Sequence, residues 1–270
     1  MQLISDCFLK INGKRLTSAI LKSLLGKGDF MKKLKIILLS AFILTLFSCG
    51  GSGKLPFKGS GFGGPQNDNE ARIAKAINKT PIVFVHGYLT NASYWDNARS
   101  YFLKNGYSPY ELFAINFKDN ELKFISTEAS ELKTFVKNVL KYTGKSKVIL
   151  IAHSRGGIVA RTYLKMFKGY SSIEKCVLIA TANQGTPVTP SYDYIHPSNS
   201  FIKNLNKPDE NVLKVKYLCI AAAEDRFFPT GYKKSTFLDY AKNITISGTN
   251  HLSVAKDERT FKEILSFIEN

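Results

Sequence analysis

The sequence predicts an α/β fold: a mostly parallel sheet of about six strands with helices on both faces. Three observations predict it. Short apolar runs rich in β-branched residues recur between residues 80 and 250. Amphipathic helical stretches separate them, and polar clusters with Gly, Asn or Pro follow each run. Runs that are apolar throughout belong to strands buried on both faces, as in parallel sheets.

The elements follow in order. "PIVFV" (81–85) reads as the first strand. Residues 93–105 read as a helix, with Ser93 and Asp96 resembling a capping box, Tyr94, Ala98, Tyr101 and Phe102 on one face, and Gly106 ending it. "LFAIN" (112–116) is the second strand. From Thr127 the stripe Leu132, Phe135, Val136, Val139 and Leu140 predicts a helix that stops at Gly144. "KVILIA" (147–152) is the third strand, and Ile158, Val159, Tyr163, Leu164 and Phe167 mark the helix after it. "CVLIAT" (176–181), "YLCIAAA" (217–223) and "NITIS" (243–247) supply three more strands. A last helix over 257–268 carries Phe261, Ile264, Leu265 and Ile268. The segment between the fourth and fifth strands, about 190–216, is the only place for a cap. It is short, so no large lid is expected, and interfacial activation should be small.

The N-terminal part is of another kind. From Met31, "MKKLKIILLSAFILTLFSCGGSGK" has a basic start, an apolar run over 36–47 and then Ser48-Cys49. The run is short for a membrane span and suits a signal peptide. An apolar residue at −3, a small one at −1 and then Cys resembles a bacterial lipobox, although Phe47 at −2 departs from the usual small residue. Residues 31–48 are therefore expected to be a lipoprotein signal peptide and Cys49 the lipidated residue. A flexible Gly/Pro-rich linker is expected through residue 79 and the folded domain over 80–270. A cleaved secretory signal with an incidental cysteine is the alternative. Residues 1–30 precede a segment that should be N-terminal. Translation from Met31, with 1–30 not native to the protein, is the simplest account, and a genuine extension is the other. The expected location is the bacterial cell envelope, lipid-anchored, or secretion.

The formal net charge is +17, and removing residues 1–48, with eight Lys/Arg and two Asp/Glu, leaves +11. The basic residues are scattered, and no zinc-finger, helix-turn-helix or RNA-binding signature is present, so no nucleic-acid partner is expected. Weak attraction to anionic lipid is the partner chemistry such charge favours. Cys176 and Cys219 lie in apolar strand-like runs and read as buried thiols, although an envelope compartment would permit a bridge.

In parallel sheets, ligands sit beyond the carboxyl ends of the strands. Attention therefore falls on "HGYLTN", "HSRGG", "NQGTP", "EDRFFP" and "GTNH". Ser154 follows a strand and precedes a helix, between Ala152 and Gly156. That is the setting of a nucleophile elbow, which needs small residues two before and two after the serine. The N–H of Arg155 would then face a developing oxyanion. Of four histidines, His86 follows the first strand, His153 adjoins the serine, and His196 lies in an irregular stretch. His251 follows the sixth strand and comes last, as the order serine, acid, histidine requires. Asp225, after the fifth strand, is the preferred acid, with adjacent Glu224 open from the pattern alone. The loop after the first strand supplies a second oxyanion donor, the Tyr88 N–H beside Gly87. Tyr88 and Phe227 flank these motifs and are candidate substrate contacts. Tyr94, Trp95, Ile158 and Phe228 are weaker candidates for an acyl pocket.

These pieces, "VHGYLTNASYW", "VILIAHSRGGIVAR", "ANQGTP", "LNKPDENV", "YLCIAAAEDRFFP" and "GTNHLS", resemble the α/β-hydrolases and, more narrowly, the small bacterial class 2 triacylglycerol lipases with A-H-S-x-G-G. The resemblance covers roughly residues 80–268. It implies a minimal α/β-hydrolase fold and a triad of Ser154, Asp225 and His251. It also implies a serine carboxylester hydrolase acting on lipid esters, without a cofactor. Many larger relatives carry calcium near the catalytic histidine. Here Leu252 and Ser253 follow His251, so no metal site is expected. Two alternatives stay open: a thioesterase, polyester depolymerase or amidase on the same fold, and a surface-anchored binding lipoprotein with little turnover.

Overall fold

A computed structural model describes residues 10–11, 14–15, 60–62, 74–118, 125–189, 193–207, 209–228 and 231–270. The chain divides into two units, Met1–Ser52 and Gly53–Asn270. In the first, Lys10–Ile11 pairs antiparallel with Lys14–Arg15. The expected signal peptide (31–48) and Cys49 lie outside the described residues.

The second unit is built on one seven-stranded sheet. Its strands are β1 (Ser60–Phe62), β2 (Ile82–Val85), β3 (Leu112–Ile115), β4 (Val148–His153), β5 (Ile173–Ile179), β6 (Lys216–Ala222) and β7 (Lys242–Ile246). The spatial order is β1-β3-β2-β4-β5-β6-β7. The six expected strands all form and all pair in parallel. The seventh, β1, comes from the stretch read as linker and pairs antiparallel with β3 at the edge. "SGF" is too short and too Gly-rich to register as a strand. Only the exposed edge of β3 makes it one.

The central strands are buried throughout, and successive side chains alternate between two core layers, one on each face of the sheet. Val83, Val85, Leu150 and Ala152 face helices α2 (Ile125–Thr143) and α3 (Arg155–Met166). Ile82, Phe84, Ile149 and Ile151 face helices α1 (Asp96–Lys104) and α7 (Glu258–Glu269). Each fully buried Val, Leu, Ile or Phe stabilises the fold by about 1.5–3 kcal/mol. Short helices α4 (Ser200–Leu205) and α5 (Glu210–Leu213) fill the connection from β5 to β6, and α6 (Tyr232–Thr236) lies between β6 and β7.

Local differences have physical causes. The capping box expected at Ser93 and Asp96 does not form. Asn91 is the cap instead, its side chain accepting from the Ser93 N–H, and a 3-10 turn over Ala92–Trp95 precedes α1. β5 begins at Ile173, three residues before the expected start, because the polar pair Glu174-Lys175 sits at the strand's outer end. Lys175 is nevertheless buried, and its ammonium donates to the carbonyls of Phe267 and Ile268 at the end of α7. Cys176 and Cys219 are free buried thiols.

Candidate active site

The strand order reverses at β2. The chain runs from β2 to β3 on one side and returns to β4 on the other. A crevice therefore opens between the carboxyl ends of β2 and β4, where open α/β sheets bind ligands. Val85 of β2 is in register with Ala152 of β4, so Gly87 and Ser154 leave the sheet side by side. A Cβ on Gly87 would sit 3.1 Å from the Ser154 Cβ and 3.3 Å from His153 Nδ1. A side chain there would be tight, and its neighbours would have to give way by a few tenths of an ångström.

Ser154 occupies a sharp turn at φ 54°, ψ −126°. A non-glycine residue there costs roughly 1–3 kcal/mol and persists only where its surroundings enforce it. Here the Ser154 N–H donates to the Ile179 carbonyl at 2.9 Å, and the Gly157 N–H donates to the Ser154 carbonyl at 3.0 Å. The turn also brings α3 against β2. A Cβ on Gly156 would collide with the His86 carbonyl oxygen and lie 2.7 Å from that of Val85. Ser154 begins α3 without capping it through its side chain, so its hydroxyl is free for another partner. That partner is His251, whose Nε2 lies 2.8 Å from Ser154 Oγ.

His251 stands on the turn after β7, and its Nδ1 is 2.7 Å from Asp225 Oδ2. The bond to the carboxylate puts the proton on Nδ1 and leaves Nε2 to accept from the serine. Asp225 is buried on the loop after β6, where its other oxygen accepts from the Phe227 N–H at 3.0 Å. Adjacent Glu224 is turned elsewhere: its backbone N–H donates to Thr249, and its carboxylate makes no bond to His251 among the described residues. Of the two carboxylates the sequence left open, Asp225 is the one the fold brings to His251. The Phe227 ring packs on the imidazole at 4.5 Å between centroids, and Phe228 meets it edge-on at 5.9 Å.

The other histidines lie outside this chain of bonds, but one of them braces it. His153 is buried, stacks on Tyr94 at 4.9 Å, and donates from Nε2 to the His251 carbonyl at 2.7 Å. The Tyr94 hydroxyl donates to the next carbonyl, Leu252, at 2.8 Å. Burial lowers the His153 pKa to about 3 and also raises that of Tyr94, so both stay neutral and protonated as donors require. His86 is buried too, and its pKa falls to about 4. His196 is remote, its Nδ1 bonded to Ser198 Oγ.

Arg155, the residue after the serine, has a role that the sequence did not suggest. Its guanidinium is buried, paired with Glu128 of α2, and its Nε donates to the Tyr194 hydroxyl at 2.7 Å. Burial opposes the charge, but the bonds from Glu128 and Tyr194 outweigh it and raise the Arg155 pKa. The side chain thus anchors the first turn of α3.

Of the weaker pocket candidates, Trp95 and Ile158 are wholly in the core, and Tyr94 and Phe228 are nearly so. The two favoured contacts remain accessible, Tyr88 at 39% and Phe227 at 55% exposure. Leu89, Val188 and Leu252 are also exposed, so apolar side chains stand on the loops after β2, β5, β6 and β7. Glu128, Tyr194 and Thr90 escaped the sequence reading, and Tyr94, read as a pocket candidate, instead bonds the Leu252 carbonyl. Each acts through a contact distant in sequence or through a backbone carbonyl, and neither leaves a motif.

Chemically, a serine hydroxyl, an imidazole and a buried carboxylate in one hydrogen-bonded line can deliver a proton-relieved oxygen to an electrophilic carbon. The mature form of Bacillus licheniformis lipase BlEst2 shares the fold with a TM-score of 0.60 at 21% identity, over 80% of this chain and 99% of that one. Aspergillus fumigatus lipase B matches at 0.60 and 15% identity, over 83% of this chain and 62% of that one. A Paleococcus ferrophilus monoacylglycerol lipase matches at 0.54 and 14%, over 70% and 95%. At these identities the likeness establishes the fold. The sequence itself matches the family of class 2 lipases over residues 79–260, well over half its length, and the chain belongs to that family.

Proposed function

We propose that the protein is a serine carboxylester hydrolase that cleaves lipid esters through an acyl-enzyme on Ser154. The observation that carries this reading is the unbroken line Ser154 Oγ to His251 Nε2 (2.8 Å) and His251 Nδ1 to Asp225 Oδ2 (2.7 Å) at a strand-to-helix turn. In the first step Ser154 Oγ bonds to the ester carbonyl carbon while its proton passes to His251 Nε2. The carbonyl π pair moves to oxygen, which is stabilised by the N–H groups of Tyr88 and Arg155. Collapse expels the alcohol, which takes the proton from His251. Water, activated by the same imidazole, then releases the acid. The roles of Asp225 in orienting His251 and of Tyr88 and Phe227 in contacting the acyl group complete the assignment.

The exposed apolar side chains on four of the loops around the crevice favour an acyl chain over a small polar ester. Hydrolysis of p-nitrophenyl esters from acetyl to palmitoyl, with Ser154→Ala in parallel, tests the reading. Loss of activity on the order of 10⁴-fold or more in the variant is expected. Equal rates in the two proteins would refute it.

The sequence features around Cys49 support the further reading of an envelope lipoprotein tethered to a membrane surface, its domain reached through the linker. Labelled palmitate fed to expressing bacteria should appear in the protein and be absent from Cys49→Ala. Equal labelling of both would exclude Cys49 as the anchor.

A further inference from the structure

His86 is a buried, titratable side chain that the proposed triad does not use, and the loop that follows it holds an unusual hydrogen-bond arrangement. His86 Nδ1 lies 2.9 Å from the Gly87 carbonyl oxygen, and Thr90 Oγ1 lies 3.0 Å from the same oxygen. A carbonyl cannot donate, so Nδ1 carries the proton and both groups donate. The Gly87 carbonyl belongs to the same peptide unit as the Tyr88 N–H. In a planar trans peptide the C=O and N–H point in opposite directions, so fixing one fixes the other.

Resting on the reading of Ser154 and Tyr88 above, we infer that His86 and Thr90 are positioning residues for the oxyanion hole: together they grip the Gly87 carbonyl and so aim the Tyr88 N–H at the oxygen of the tetrahedral intermediate. The surroundings make the grip rigid on one side. His86 is 2% exposed, packs edge-on against Phe117 at 5.1 Å, and its backbone carbonyl lies against Gly156 of α3. Burial keeps the ring neutral, so its single N–H is committed to Gly87. Thr90 closes the other side from two residues beyond Tyr88, with Leu89 between them at φ 53°. That left-handed turn bends the chain back so that the Thr90 hydroxyl meets the carbonyl. The two donors also draw electron density toward the carbonyl oxygen, which polarises the N–H of the same unit.

Loss of an oxyanion donor outright typically costs about 10²–10³ in kcat. Loosening one of two grips should cost less. In the full chain, Thr90→Val keeps the shape and removes the donor, and should lower kcat on a medium-chain ester about tenfold with KM little changed. Thr90→Ser restores the hydroxyl and should restore the rate. His86→Leu should lower kcat further, and His86→Asn, whose amide can replace Nδ1, should recover part of it. The decisive readout is affinity for an alkyl trifluoromethyl ketone. Ser154 Oγ adds to its carbonyl carbon, the π pair goes to oxygen, and the proton goes to His251, so the adduct carries the oxyanion. Affinity for the ketone should fall in step with kcat, while competitive inhibition by the planar product acid should not change. If Ser154→Ala remains active, the reading of the site fails. If Ser154→Ala is inactive yet Thr90→Val folds and keeps both its kcat and its ketone affinity within twofold, the positioning role is overturned. If His86→Leu does not fold, the Thr90 pair alone decides.

Discussion

His86 and His153 are held neutral by burial, with pKa values of about 4 and about 3 against an ordinary value near 6.5. Unfolded, both would take up protons as the pH falls through 6.5. Folded, they resist until far lower pH. The unfolded chain therefore binds more protons across that interval, and folding stability must fall with acidification. The expected loss begins near pH 6.5 and continues to about pH 3–4, and is of order several kcal/mol from the two residues together. Urea titrations at a series of pH values check this. Stability that stays flat between pH 6.5 and 4 would contradict it. The same burial gives each ring one N–H to donate, and each donates it to a backbone carbonyl beside the proposed catalytic groups. Histidine neighbours of a serine and a glycine are visible in the sequence, but their carbonyl partners are not. His153 reaches across 98 residues to His251, a distance only the fold can close. The pattern preferred Asp225 but left Glu224 open, and which of them meets His251 is not written in it. It depends on which carboxylate the tight loop after β6 turns inward, with the Phe227 N–H holding one oxygen and His251 the other.

Helix α3 is tied at its first turn by the Arg155 side chain, which joins α2 through Glu128 and the β5–β6 connection through Tyr194. Taking the cation from a buried carboxylate should be costly. Arg155→Met is expected to destabilise the fold by about 3–5 kcal/mol, and Arg155→Met with Glu128→Met together should recover a large part of that loss. Denaturant midpoints of the two variants and the wild type measure it. A single variant as stable as wild type would contradict the anchoring role. The elements themselves were readable because their periodicity is strong. α2 carries a regular apolar stripe, and each parallel strand is an unbroken apolar run. Two features were not readable. The chain enters α1 through a 3-10 turn capped by Asn91, whose Oδ1 accepts from both the Ser93 N–H and the Ser93 hydroxyl. Strand β1 has no intrinsic β signal and owes its form to pairing with β3.

On the scale of the whole molecule, the strand order turns a list of loops into a site. Residues from the ends of β2, β4, β6 and β7, spread over 170 residues of sequence from about 86 to 254, meet at one crevice because the sheet reverses at β2. The order serine, acid, histidine along the chain follows from β4, β6 and β7 lying on one side of that reversal. On the loops after β2, β5, β6 and β7 stand Tyr88, Leu89, Val188, Phe227 and Leu252, exposed and apolar on an otherwise basic chain. Such a rim suits an acyl chain presented from a lipid surface. The most direct test is the p-nitrophenyl ester series with wild type and Ser154→Ala side by side. The expected result is activity strongest on medium or long acyl chains and abolished in the variant. Activity confined to acetyl or butyryl esters would contradict the lipid-ester assignment, and equal activity in the two proteins would mean that the turn at Ser154 is only a turn.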